Sequence, residues 1–136
     1  MDSYVLIYTK IGEFADQSKD LADDLRTHIS RETGYELDMY KDTRCWGDYE
    51  ILIGDTIRTD AGLYATIGDN QYLIKVVKRT VTYEDGSQHE GAQVLILFGK
   101  NAAAAALNAF KKEFMPSSQT PIDLNIADGY TIQGTV

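Results

Sequence analysis

The run VLILFGKNAAAAALNAF (residues 94–110) passes from an apolar strand into a helix with one short polar turn between them. AQVLILFG reads as a buried strand, because a continuous apolar run bounded by turn residues is what a covered sheet strand requires. NAAAAALNAFKKEFMP then reads as a helix. Asn101 is the expected N-cap, and Ala103, Leu107, Phe110 and Phe114 recur on one face. Lys111 and Lys112 suit the negative end, and Pro116 lies just beyond it. A face of alanines lets such a helix lie close on a sheet.

Outward from this run, the same two periods recur. SYVLIY, at residues 3–8, is a first strand. IGEFADQSKDLADDLRTHISRETG follows as a long amphipathic helix, with Phe14, Leu21, Leu25 and Ile29 at helical spacing and Ala22 beside them. Glu13 and Asp16 sit near its start, where the dipole favours anions, and Gly34 is its stop. YELDMY (35–40) reads as a short strand, KDTRCWGD as a loop, and EILIG as an inner strand closed by Gly54. One helical turn is expected within residues 61–66, then a turn at Gly68-Asp69-Asn70. QYLIKVV and KRTVTY read as two strands, the second turning back through Asp85-Gly86. The tail alternates at Ile122, Leu124, Ile126, Tyr130 and Ile132, as a hairpin or an outgoing strand would.

These elements predict an α+β, two-layer sandwich: a mixed sheet with two main helices packed on one face. One domain suits 136 residues, with 43% hydrophobic and 25% charged content. No apolar run reaches the roughly 18 residues that span a bilayer, so no membrane insertion is expected. The first residues, MDSYVLIYTK, lack the basic start of a signal peptide.

A net charge of −8 and a pI near 4.6 make nucleic acid an unsuitable partner. The basic cluster Lys75, Lys78 and Arg79 is expected to split between two strand faces. With one cysteine, Cys45, neither an internal disulfide nor a multi-cysteine metal site can form. Phosphate-loop and dinucleotide glycine patterns are absent, since Gly54, Gly62 and Gly68 are too far apart and no lysine follows them. His28 and His89 have no local partners at zinc or triad spacing. The sequence therefore names no catalytic residue, metal or cofactor.

The acids Asp38, Asp42, Asp48, Asp55, Asp60 and Asp69 cluster in the middle third and match no calcium loop. Charged loop surface accounts for them, and an acidic glycosidase cleft near Asp48 and Asp55 is the sharper alternative. A sugar-binding set is suggested by Arg44, Trp46, Tyr49, Asp55 and Arg58. An indole stacks on a sugar face, and arginines bond hydroxyls and carboxylates. The bland counterpart is that Trp46 plugs the end of the core, Arg58 pairs with an aspartate, and Asp55 bonds backbone.

The order YVLIY, a helix closing on RETGYEL, YEILIGDTIR, QYLIKVV and VLILFGKNAAAAALNAF carries a resemblance. It resembles the non-catalytic α/β domain that precedes the catalytic barrel of β-N-acetylhexosaminidases and α-glucuronidases, a domain type found in other bacterial glycan-associated proteins. The resemblance spans residues 4–115 and leaves 116–136 as a C-terminal strand or hairpin extension. It implies a non-catalytic accessory domain, extracellular or at the cell surface, with neighbouring domains of a longer polypeptide and carbohydrate as partners. It carries over no catalytic residue, because the family's acid and base belong to the barrel. The segment VKRTVTYEDGSQHEGAQ departs from the shorter turn the family has there. The remaining readings are a small carbohydrate-active enzyme and a protein-interaction module using a sheet edge.

Overall fold

The structure, a computed structural model, describes residues 4–9, 15–41, 48–54, 66–114 and 131–136. Its elements run β1 (Tyr4–Tyr8), α1 (Ala15–Thr33), β2 (Met39–Lys41), β3 (Tyr49–Ile53), β4 (Gln71–Thr82), β5 (Gln88–Phe98), α2 (Ala103–Phe114) and β6 (Thr131–Thr135). Six strands form one mixed sheet in the order β2-β1-β3-β5-β4-β6. The first four in that order are parallel, and β4 is antiparallel to both β5 and β6. The expected α+β sandwich is present.

Both helices pack on one face. Leu21, Ala22, Leu25 and Ile29 of α1 meet Ala106, Leu107 and Phe110 of α2 over Leu6, Ile51, Ile53, Val76, Val94, Ile96 and Phe98 of the strands. Most of these side chains are fully buried, and burial is what holds an amphipathic helix in place. Ile7, Leu52 and Leu95 form a smaller cluster pointing the other way, with Val5 and Val77 against it. The continuous apolar runs of β1, β3 and β5 follow from this, since a strand buried on both faces has no polar alternation.

Local details depart from the sequence reading in three places. QYLIKVV and KRTVT are one twelve-residue strand, β4, with Tyr83 just beyond its end, because β5 pairs it in one register from Tyr72 to Thr82. YELDMY contributes only Met39 and Tyr40 to β2; at Leu37 the backbone carbonyl accepts instead from Arg26 Nε of α1, 2.8 Å away. Asn101 does not cap α2: its side-chain amide donates to Asn70 Oδ1 at 2.8 Å, and the helix opens after Ala102. Gly34 does end α1, with φ +80° and its N–H donating to the Ser30 carbonyl at 2.9 Å. Glu13, Phe14, residues 61–65 of the expected helical turn and the alternating residues 122–130 lie outside the described residues.

Candidate functional site

Of the five residues expected to meet a sugar, Tyr49 is the one within the described set; Arg44, Trp46, Asp55 and Arg58 lie outside it. Tyr49 opens β3, paired with Tyr4 and Ala92. Its half-buried ring tilts against that of Tyr4, with centroids 5.3 Å apart, and packs on the core. Tyr49 and Gly54 stand at opposite ends of β3, about 16 Å apart at ~3.3 Å per residue. One ligand touching Tyr49 and the chain just after Gly54 would have to span that length.

The described polar side chains converge instead on the β4–β5 hairpin. These strands pair from Tyr72↔Phe98 to Thr82↔Gln88, but β5 meets β3 only up to Ala92, and β4 meets β6 only up to Lys75. Among the described residues, the outer rungs, from Arg79↔Gly91 to Thr82↔Gln88, therefore form a two-stranded arm. Such a ribbon is marginal in water on its own, so its side chains must hold it.

They do so through a connected set. Tyr83 Oη donates to Asp48 Oδ1 at 2.8 Å, tying the arm to the start of β3. The Tyr83 and His89 rings stack, 4.0 Å between centroids and 26° between planes. Ser87 Oγ lies 2.6 Å from Asp85 Oδ1 and 3.0 Å from His89 Nε2. An ionised carboxylate only accepts, so the single Ser87 hydroxyl proton goes to Asp85, and His89 Nε2–H donates to Ser87. The Ser87 backbone N–H also donates to Asp85, at 2.8 Å. The Ser87 hydroxyl and this backbone N–H together hold the Asp85 carboxyl below its ordinary pKa. The bond to Asp48 pushes the Tyr83 hydroxyl above its own.

At the arm's root, Arg79 Nη2 and Gln93 Nε2 donate to Glu50 Oε1 at 2.9 and 3.1 Å, and the Glu50 side chain is wholly buried. Chemically, the arm presents a pinned aromatic pair flanked by acceptor-only carboxylates. It does not present an activated nucleophile, because the Ser87 proton is committed to Asp85 and the histidine nitrogen facing Ser87 gives a proton rather than taking one.

The sequence reading saw the Asp85-Gly86 turn but treated His89 as alone. The usable signal was the hairpin itself. A turn closed by the Tyr83 N–H to the Ser87 carbonyl at 2.9 Å and the Gly86 N–H to the Tyr83 carbonyl at 2.9 Å places residues two apart along either strand on one face.

A second polar spot lies at the carboxyl ends of β1 and β3, where the chain turns first to β2 on one side and later to β3 on the other. Open α/β sheets bind ligands at such switch points. Here Thr9 Oγ1 donates to the Ile53 carbonyl at 3.2 Å. Ser18 Oγ of α1 is buried against Gly54 and has no hydrogen-bond partner among the described residues.

No family model matches the chain, and no curated protein matches it. Among the described residues, no three metal-ligating side chains come together, and no helix is long and apolar enough to cross a membrane.

Proposed function

We propose that the chain is a non-catalytic accessory domain of a larger glycan-processing or cell-surface protein, and that the Tyr83–His89 face of its hairpin arm is a weak carbohydrate contact. The observation that carries this reading is the stacked, exposed aromatic pair held by Asp48, Ser87 and Asp85. Tyr83 is 44% exposed while its hydroxyl is hydrogen-bonded and its ring stacked. Aromatic rings accept the C–H face of a pyranose, and fixed carboxylates accept its hydroxyls. Two carboxylates on a chain of net charge −8 favour a neutral N-acetylhexosamine over a uronic acid. The order of strands and helices that carried the resemblance to the hexosaminidase-associated domain supports the accessory role.

The test is a nitrogen-15 and aromatic-carbon NMR titration with a short β-linked N-acetylglucosamine oligomer. Saturable shifts centred on Tyr83 and His89, with a millimolar Kd (about −4 kcal/mol), are expected, and Tyr83→Ala should abolish them. Shifts centred elsewhere, or unchanged binding in that variant, would overturn the assignment of the site. Turnover of aryl glycosides by the purified chain would overturn the non-catalytic reading.

A further inference from the structure

We propose that the outer side of α1 carries a second binding site, one for the carboxylate of a sugar acid. Arg26, Thr27, Ser30 and Arg31 of α1, with Glu36 just after the helix, line a groove of about 310 Å³. Residues four apart on a helix are neighbours on its surface, so Arg26 lies beside Ser30 and Thr27 beside Arg31. Arg26, Thr27, Arg31 and Glu36 are exposed and Ser30 is half-buried, so the groove opens to solvent. Its volume is at the small end of the roughly 300–1,000 Å³ of small-ligand sites.

Arg26 is the anchor. Its Nε–H donates to the Leu37 carbonyl at 2.8 Å, and Leu37 is buried in the core, so the guanidinium plane is held before any ligand arrives. With Nε committed, the Nη1–Nη2 edge is the fork that remains, and such a fork matches a carboxylate through two parallel hydrogen bonds. Among the described residues Arg26 forms no ion pair, although Glu36 lines the same groove. Arg31 is already engaged, with Nε 3.7 Å from Glu32 and Nη2 3.2 Å from His28 Nδ1, so it adds positive charge rather than a second fork. One uncommitted guanidinium balances one negative charge. A carboxylate fits that count, whereas a phosphate monoester, carrying about two charges, would also be repelled by Glu36. The Thr27 and Ser30 hydroxyls and the Glu36 carboxylate supply the donors and acceptors that sugar hydroxyls need. A net charge of −8 gives the chain no general attraction for anions, so binding must come from these groups. The hairpin arm has the opposite preference, because its carboxylates repel a sugar acid.

A nitrogen-15 NMR titration of the full chain with sodium D-glucuronate at constant ionic strength tests the proposal, with D-glucose and inorganic phosphate as comparison ligands. Saturable shifts of the Arg26 Nε–H and of the Thr27, Ser30 and Arg31 amides are expected, with a Kd of about 1 mM. Arg26→Lys keeps the charge but loses the fork, and should raise that Kd about tenfold. Arg31→Gln is an exposed change in the last turn of α1 that leaves the Arg26–Leu37 bond in place, and it should raise the Kd about threefold. The sheet amides report whether each variant is folded. No saturable shift at these residues would overturn the proposal. So would glucose or phosphate binding there as tightly as glucuronate, or a Kd unchanged in either folded variant. Tyr83 and His89 are not among the reporters, so this site and the hairpin arm stand or fall separately.

Discussion

Arg79 on β4 reaches across β5 to Glu50 on β3, Nη2 to Oε1 at 2.9 Å, and the carboxylate it meets is fully buried. Its own partner on β5 is Gly91, which has no side chain to obstruct the reach. One ion pair thus crosslinks three strands where the arm leaves the sheet, with Gln93 as a second donor.

Removing the cation should be far worse than removing the pair. Arg79→Met leaves a buried carboxylate short of its countercharge and should cost roughly 3–5 kcal/mol in urea unfolding. Glu50→Met combined with Arg79→Leu should recover most of that loss, since an apolar pair of similar volume needs no compensation for desolvation. A double variant no more stable than the single one would show that the pair is not what the strands depend on.

Gly54 and Gly34 separate backbone strain from crowding. Both have φ near +80°, but a Cβ at Gly34 would meet open space, while one at Gly54 would run into the Ser18 and Thr9 hydroxyls. Gly34→Ala should cost about 1–2 kcal/mol from the left-handed backbone alone. Gly54→Ala should cost a further ~1–3 kcal/mol from overpacking, read as a lower denaturation midpoint at unchanged m-value.

Ser18→Ala is expected to stabilise. The hydroxyl is buried with no hydrogen-bond partner among the described residues, and alanine is the better helix former. A gain of about 1 kcal/mol in thermal or urea unfolding fits this reading, and a loss of similar size would mean that the hydroxyl is satisfied.

Alkaline stability should carry the mark of Tyr4. Burial, with the Tyr49 hydroxyl nearby, pushes its phenol from 10.0 up to about 12. The unfolded chain therefore releases this proton first as pH rises. The stabilisation is whole below pH 10 and is lost between pH 10 and 12, up to about 2–3 kcal/mol. Tyr4→Phe should flatten that decline relative to the wild type, measured by urea unfolding at stepped pH.

His28 gives the opposite sign. Burial and Lys111 of the neighbouring helix hold its imidazole below the ordinary range, and Arg31 Nη2 lies 3.2 Å from its Nδ1. Its small contribution is present above pH 6.5 and fades on acidification. Replacing Lys111 with glutamine should raise the His28 midpoint in an NMR titration.

Periodicity alone located both helices, because Leu21, Leu25 and Ile29, like Ala106 and Phe110, cannot be buried unless the chain turns every 3.6 residues. The apolar runs of β1, β3 and β5 likewise imposed strands covered on both faces. Strand length and the ends of elements were settled by partners. Eleven rungs on β5 made KRTVT a continuation of β4, and the Asn70 side chain drew Asn101 away from the helix it was expected to cap. The candidate site was the least legible part. Asp48 and Tyr83 are 35 residues apart, and Glu50 and Gln93 are 43 apart. Nothing local in the chain marks either pair. The sequence by itself determined which segments bury an apolar face, since that depends on spacing within one element. Which polar side chains meet was decided only by the tertiary structure, because hydrogen bonds are short and directional and depend on the register between strands far apart in the chain.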